Sequence, residues 1–496
     1  MGIYKTFFFI FASVIQIFIM LIGRKKEQQI LRNLLQKEES QFCAVYGRRR
    51  VGKTYLIRET FNYQFAFQHT GFAKMPLKKQ LAGFRDSLQA ASGQKFRIPH
   101  NWFEAFSLLE EVLSEKKERK KVVFLDELSW MDTPKSNFIS ALEHFWNSWA
   151  TARREKDIVL IICGSSTSWI TKKIFHNRGG LHNRLTERIH LLPFNLAECE
   201  QYANVAGLNM SRKDIAEAYM IMGGVPFYWS LLDCQYSLAQ NTDMLFFSND
   251  GKLKNEFNDL YASLFENAEP YMAIVEILGK KKKGMTRLEL EKALDEKSSG
   301  TFSKRLEDLE MSGFIRSYVC LGKKERNTLY QLIDPLTLFY LLFMKNKRKT
   351  DRHYWTKSIN TPSHNTWAGL AFERLCLWHI PQIKQALGIS GITSNVYSWS
   401  YQPKNEEEQG AQIDLLIDRG DQVINLCEMK FSDSVFTMTN KEEERLRSRR
   451  DIFAEVTKSR KAMHYTLVTT YGLKHNIHTG IIQQVVVLDD LFRHHD

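Results

Sequence analysis

The stretch Gln41 to Thr54, "QFCAVYGRRRVGKT", decides how the chain is read. Its first half is a short apolar run rich in strand formers that ends at Gly47, the pattern of a buried strand entering a loop. Its second half, "GRRRVGKT" from Gly47 to Thr54, fits the spacing G-x-x-x-x-G-K-[ST] and lies between a strand and a helix. That spacing suits phosphates. Glycines let successive backbone N–H groups turn inward around a β-phosphate, the helix N-terminus adds partial positive charge, Lys53 spans the β and γ oxygens, and Thr54 ligates Mg²⁺. The cradle comprises Gly47, Arg48, Arg49, Arg50, Val51, Gly52, Lys53, Thr54 and Tyr55, with the three arginine side chains expected to point outward. ATP and Mg²⁺ are the expected ligands.

Two further strand-like runs follow, "KVVFLDEL" (121–128) and "DIVLIICGS" (157–165), each preceded by a long helical stretch. Strands alternating with helices imply parallel crossovers, hence an α/β domain to about Pro193. The first run ends in Asp126-Glu127, an acidic pair that is costly in apolar surroundings unless it meets a cation. Asp126 is expected to hold the metal's water shell, and Glu127 to polarise the attacking water as general base. The second run ends in Gly164-Ser165-Ser166, where a Ser165 hydroxyl could sense a γ-phosphate or simply make a turn. Arg184, in "GLHNRLTERIHLLPF", could reach a γ-phosphate in cis or across a subunit interface, or be a plain surface arginine.

Composition bounds the rest. A chain of 496 residues, 44% hydrophobic and 25% charged, holds about three globular domains and is neither disordered nor fibrous. Lys and Arg outnumber Asp and Glu by 69 to 56, which favours a polyanionic partner, DNA first. The seven cysteines are scattered, with no C-x-x-C pair, so they read as small buried hydrophobes in a reducing cytoplasm. Residues 1–21 form an apolar N-terminal segment with Arg24-Lys25-Lys26 behind it. It is short for a spanning helix, and three readings stand: translation beginning at Met20, a membrane anchor, or a buried helix.

The chain then divides by pattern. A P-loop core takes residues 22–194, and a helical lid, broken at Gly223-Gly224-Val225-Pro226, takes 195–265. Residues 266–344 read as helices at Tyr271–Leu278, Arg287–Leu294 and Phe302–Met311, then two strands around "LGKKERN", the order of a winged helix. Its cations, Lys280 to Lys283, Lys304, Arg305, Lys323, Lys324 and Arg326, could sit on DNA phosphates, or the module could serve as an intramolecular lid. A basic linker takes 345–364, and an α/β domain takes 365–496. There Asp414 lies on one strand, with Glu428 fourteen residues on and Lys430 two further, facing the same side of the next strand. Glu373 in the preceding helix could add a third acid. Hard oxygen ligands suit Mg²⁺ or Mn²⁺, with Lys430 positioning water or stabilising developing charge.

Taken together, "IGRKKE", "YGRRRVGKT", "FLDEL", "ICGSS" and "GGVPFYW" resemble the prokaryotic AAA+-like ATPase family first described in archaea, related to STAND and origin-recognition ATPases. The resemblance covers residues 22 to about 345. It implies that Gly23 and Arg24 lie by the adenine and that Gly224 and Pro226 sense the nucleotide from the lid. The family's Gly-Arg before the last strand stands here as Asn183-Arg184. Residues 365 to 490 resemble the PD-(D/E)xK nuclease superfamily, which implies a metal site of Glu373, Asp414 and Glu428 with Lys430 beside it. The expected whole is an α/β chain: a P-loop NTPase parallel sheet with helical lid, winged helix, and nuclease-like C-terminal domain. ATP, DNA and a homo-oligomer are the expected partners, with membrane contact through residues 1–21 left open.

Overall fold

A computed structural model describes residues 21–176, 179–181, 183–322, 327–345, 351–401, 403 and 409–494. The chain forms two compact units, one ending at Pro193 and one beginning at Phe194.

The first unit is built on a parallel sheet of β1 (Gln41–Tyr46), β2 (Phe67–Thr70), β3 (Lys121–Asp126), β4 (Ile158–Gly164) and β5 (Glu187–His190), in the order β2-β3-β4-β1-β5. Alternate side chains feed two separate cores. Phe42, Ala44, Val123, Leu125, Leu160 and Ile162 pack with Phe84, Trp102 and Phe106 from the helices Leu77–Ser92 and Trp102–Glu115. Cys43, Val45, Phe124, Ile161 and Cys163 pack with Leu31 and Leu34 of the helix Lys25–Leu34 and with Leu56 and Ile57 of the helix Lys53–Thr60. Burial on both faces explains why the central strands read as unbroken apolar runs. The two edge strands, β2 and β5, give no such run, because each has four residues and alternates in burial.

The second unit opens with the helices Leu196–Val205, Arg212–Met222, Pro226–Trp229 and Glu256–Leu264. The glycine pair has a steric reason: a Cβ on Gly224 would lie 1.8 Å from the Phe194 carbonyl oxygen. Next come the helix Glu269–Gly279, β6 (Met285–Thr286), the helices Arg287–Ala293 and Gly300–Met311, β7 (Ile315–Tyr318) and β8 (Leu329–Leu332). The three strands form an antiparallel sheet in the order β6-β8-β7, and Thr286 with Glu289 closes the anticipated capping box. Lys323, Lys324 and Arg326 lie outside the described residues, as do residues 1–20.

Part of the stretch expected as a basic linker is packed, while its residues 346–350 lie outside the described residues. Trp355 is fully buried against Phe339, Phe343 and Trp367, because a large aromatic outweighs the charged residues around it. After the helix Pro362–Trp378 comes a sheet of β9 (Ser394–Tyr401), β10 (Ala411–Arg419), β11 (Val423–Lys430), β13 (Ala462–Thr469) and β15 (Ile482–Val487). A small pair, β12 (Phe436–Thr437) and β14 (Leu473–Lys474), lies apart from it. The sheet order is β15-β13-β11-β10-β9: β9 to β11 run antiparallel, and β11, β13 and β15 parallel. The helix Asn440–Thr457 connects β11 to β13. Of the seven cysteines, Cys234 alone is exposed. Among the described residues no helix is long and apolar enough to cross a membrane.

Candidate nucleotide site and acidic cluster

The phosphate loop leaves β1 at a close chain crossing. Gly47 has φ 142°, and a Cβ there would lie 2.3 Å from the Leu191 carbonyl oxygen. The loop then caps the helix Lys53–Thr60 with Gly52 at φ 90°, leaving first-turn N–H groups for an anion. Lys53 is buried, and its Nζ donates to the carbonyl oxygens of Gly47 and Arg48, each at 2.9 Å. The loop thus curls around its own ammonium. Val51 is a core residue, so only its backbone serves the cradle, and Tyr55 is half-buried. Arg49 and Arg50 are half-buried, and Arg48 is buried, contrary to the outward arginines expected.

Four side chains line up beside the loop. Thr54 Oγ1 donates to Asp126 Oδ2 at 2.9 Å, and the Glu127 N–H donates to Asp126 Oδ1 at 3.0 Å. Ser165 donates to Glu127 Oε2 through its Oγ at 3.0 Å and its N–H at 3.3 Å. Glu127 itself has φ 48°, a left-handed conformation that costs about 1–2 kcal/mol in a residue with a Cβ and is typical of functional sites. The turn carries its carboxylate toward β4 and Ser165. A hydroxyl and a carboxylate this close are hard oxygen donors that fit Mg²⁺.

Gly23 and Arg24, both with positive φ, precede the helix Lys25–Leu34, and Arg24 Nη2 donates to the Leu192 carbonyl at 2.6 Å. Leu191 overlies Gly47, so the pair stands on the phosphate loop's side of the sheet. His190 was not anticipated. It ends β5 and stacks on Tyr46, ring centroids 4.7 Å apart, while burial and the nearby Lys53 charge hold its pKa below the usual imidazole range. Only β5 itself could have signalled it, and that strand is silent in the sequence pattern.

Arg184 is not brought to the phosphates within one chain. It is exposed, with Nε 3.4 Å from the Gly180 carbonyl, and it precedes β5 at the end of the sheet where β1 begins. The phosphate loop leaves the opposite end of the sheet. Pro226 starts a short helix in the second unit, where Trp229 Nε1 donates to the Gly223 carbonyl at 2.8 Å.

The second unit gathers the C-terminal acids around lysine and arginine. Lys282, from the turn before β6, places its Nζ 2.6 Å from Glu373 Oε1 and 3.8 Å from Asp414 Oδ2. Its backbone carbonyl accepts from Arg374 Nη2 at 2.5 Å and Gln331 Nε2 at 2.8 Å, which fixes the turn in place. Asp414 sits at a bulge in β10 and accepts from Gln412 Nε2 at 2.6 Å. Glu428 follows a different course: Lys430 Nζ and Arg445 Nη2 each lie 3.0 Å from its Oε1, and Arg449 Nη1 lies 2.7 Å from its Oε2.

The environments differ accordingly. Burial and the Asp414 charge push the Glu373 carboxyl up, and its Oε2 is buried with no hydrogen-bond partner among the described residues. Burial would also raise Glu428, but Arg449, Lys430 and Arg445 outweigh it and hold the carboxyl below its usual range. The expected metal set is therefore not shown. Among the described residues no three His, Cys, Asp or Glu side chains gather as a metal site. Glu373 and Asp414 face an ammonium, and both oxygens of Glu428 are taken by cations. Lys282, expected among the cations for DNA phosphates, pairs with these acids instead; Arg374, Arg445 and Arg449 escaped the sequence analysis because nothing in their spacing ties them to these acids.

Comparison with known proteins bears on the first unit and the part of the chain that follows it. Residues 21–232 match the family described as "ATPase domain predominantly from Archaea". An uncharacterized protein of Methanocaldococcus jannaschii is 22% identical over 272 residues, 52% of this chain and 54% of that protein, so the match spans about half the relative's length. Among solved structures, the Walker-type ATPase of Pyrococcus abyssi aligns with TM-score 0.48 and 16% identity over 65% of this chain and 96% of its own. The ORC2 protein of Aeropyrum pernix aligns with TM-score 0.40 and 14% identity, over 65% and 93%. The family match, with the phosphate loop and acidic pair it contains, makes residues 21–232 an archaeal-type P-loop ATPase domain.

Proposed function

We propose that this protein hydrolyses ATP with Mg²⁺ and that its nucleotide state repositions a winged helix and a nuclease-like domain on DNA in the cytoplasm. The observation that carries the ATP reading is the chain Thr54–Asp126–Glu127–Ser165, which runs from the phosphate loop to the next two strands. Mg²⁺ held by Thr54 and the water shell of Asp126 would neutralise charge on the β and γ phosphates. Glu127 polarises the attacking water, Ser165 holds that carboxylate in position, and Lys53 leaves the loop carbonyls for phosphate oxygens. Gly23 and Arg24 would contact the adenine, and Gly224 and Pro226 would sense the nucleotide.

The winged-helix reading rests on element order: helix, strand, two helices and a hairpin, with a three-stranded sheet. Its third helix is a modest DNA reader. Gly300–Met311 carries Lys304 and Arg305 against Glu307, Asp308 and Glu310, and Arg305 is held by both oxygens of Glu296 at 2.8 Å. The nuclease-like reading rests on an antiparallel strand triplet continuing into parallel strands, with a helix on either side in sequence. Hydrolysis there would require Lys282 to withdraw from Glu373, so no step is assigned to that site as it stands.

A second reading is favoured by that same lysine: an ATP-driven switch that oligomerises, with a C-terminal domain that binds without cutting. Arg184, exposed at the far end of the sheet, suits a contact across such an interface. The deciding experiment combines purified protein with plasmid and linear DNA, Mg²⁺ or Mn²⁺, and ATP or none, alongside Glu428→Gln. Phosphate release together with cleavage by the wild type alone supports the first reading. Phosphate release without cleavage, and mass that changes with nucleotide in light scattering, supports the second. Absence of phosphate release under every condition overturns the ATPase proposal.

A further inference from the structure

A cavity beside the C-terminal acids is basic among the described residues, and its lining is ordered by one helix. The helix Asn440–Thr457 presents Lys441, Glu444, Arg445, Ser448, Arg449 and Ile452 along a single face. These positions recur three and four residues apart, the spacing that stacks side chains in a row. Opposite them stand the end of β9 and the start of β10, which offer neutral hydrogen-bonding groups from Ser400, Gln409 and Gln412, and Lys283 closes one side. The cavity measures about 720 Å³.

Among the described residues, four cations against one acid line it, Lys283, Lys441, Arg445 and Arg449 against Glu444. Setting Glu428 against the two arginines that hold it still leaves a positive surplus. Three lining residues also reach the acids: Gln412 donates to Asp414, and Arg445 and Arg449 bind Glu428. A ligand in this groove would therefore touch the same side chains that order Asp414 and Glu428.

We propose that this groove, and not the third helix of the winged-helix module, is the main seat of a nucleic-acid phosphate backbone on this chain. Successive phosphates pair with the row of Lys441, Arg445 and Arg449, while Lys283 grips from the winged-helix side. The neutral amides and Ser448 donate to sugar and phosphate oxygens without reading sequence, so binding is sequence-blind and strongly salt-dependent. The inference names the ligand class of the C-terminal site and does not need that site to cut.

The test is fluorescence anisotropy with labelled duplex and single-stranded 20-mers, in EDTA, across a salt series. The pair Lys283→Ala/Lys441→Ala is used because neither side chain holds Glu428. For duplex, its affinity should fall at least tenfold, and the slope of log K against log salt should shrink by about two, one phosphate contact per lysine removed. The pair Lys283→Arg/Lys441→Arg, which keeps charge, should retain the slope and so separates lost contacts from lost folding. Unchanged affinity and slope in the alanine pair overturn the proposal. So does competition by poly-glutamate of matched length as effective as unlabelled DNA, which would assign the groove to acidic protein. Because EDTA removes divalent metal, failure of cleavage leaves this binding result untouched, and failure of binding leaves the ATPase reading untouched.

Discussion

The phosphate loop and the C-terminal acidic cluster each hold a lysine at their centre, and the partners of the two lysines differ. Lys53 is satisfied by backbone carbonyls of its own loop, neutral groups that phosphate oxygens can replace with a gain in charge pairing. Lys282 is satisfied by carboxylates from another part of the unit, so displacing it leaves Glu373 and Asp414 uncompensated. The first site is arranged for an anion to arrive. The second is already neutralised from within, and its chemistry depends on what moves.

The sharpest test of that contrast lies in the first unit. Lys53→Ala should abolish nucleotide binding, whereas Glu127→Gln should bind normally and lose about a hundred- to ten-thousand-fold in turnover, measured by fluorescent-nucleotide titration and phosphate release. Normal hydrolysis by Glu127→Gln would remove the base assignment. Asp414→Asn and Glu428→Gln should leave this turnover unchanged, since both lie in the other unit.

Next in size is Lys282→Ala. Removing the ammonium leaves Glu373 and Asp414 as paired hard donors, so Mn²⁺ affinity measured by calorimetry should rise at least tenfold over the wild type, provided Lys282 is the competing cation. Equal Mn²⁺ affinity in wild type and Lys282→Ala would break the comparison, making the acids a structural ion-pair cluster. Ser165→Ala should act more mildly. Losing one hydrogen bond of about 1–1.5 kcal/mol to Glu127 predicts roughly a tenfold drop in kcat with nucleotide affinity unchanged.

The smallest effect is a difference in acid response between two carboxyls of the same cluster. Glu373 is raised above its ordinary value of 4.5, so the folded state takes that proton first, and stability from ionised Glu373 is not what holds the unit together as pH falls through its raised pKa. Glu428 is depressed below 4.5, so the stability its ion pairs contribute is present above that value and is lost only as pH falls through its lower, folded pKa. Carboxyl-carbon NMR should therefore show Glu373 titrating above 4.5 and Glu428 below it. The reverse order would mean that Arg445 and Arg449 do not hold Glu428 in solution.

Much of this protein was legible before any coordinates. The strands β1, β3 and β4 announce themselves because burial on both faces demands continuous apolar runs, and the phosphate loop follows because its chemistry needs fixed residues at fixed, local spacing. Asp126, Glu127 and Ser165 were found for the same reason, as polar residues ending apolar strands. Tertiary structure decided the rest. It brought β2 and β5 to the sheet edges, and with β5 came His190 and the opposite-end position of Arg184. It buried Trp355 where charge suggested a linker, and it carried Lys282 into acids 91 and 132 residues away in sequence. Local chemistry is written in spacing, but long-range charge pairing is fixed only when separate segments pack, and no periodicity in the chain encodes it.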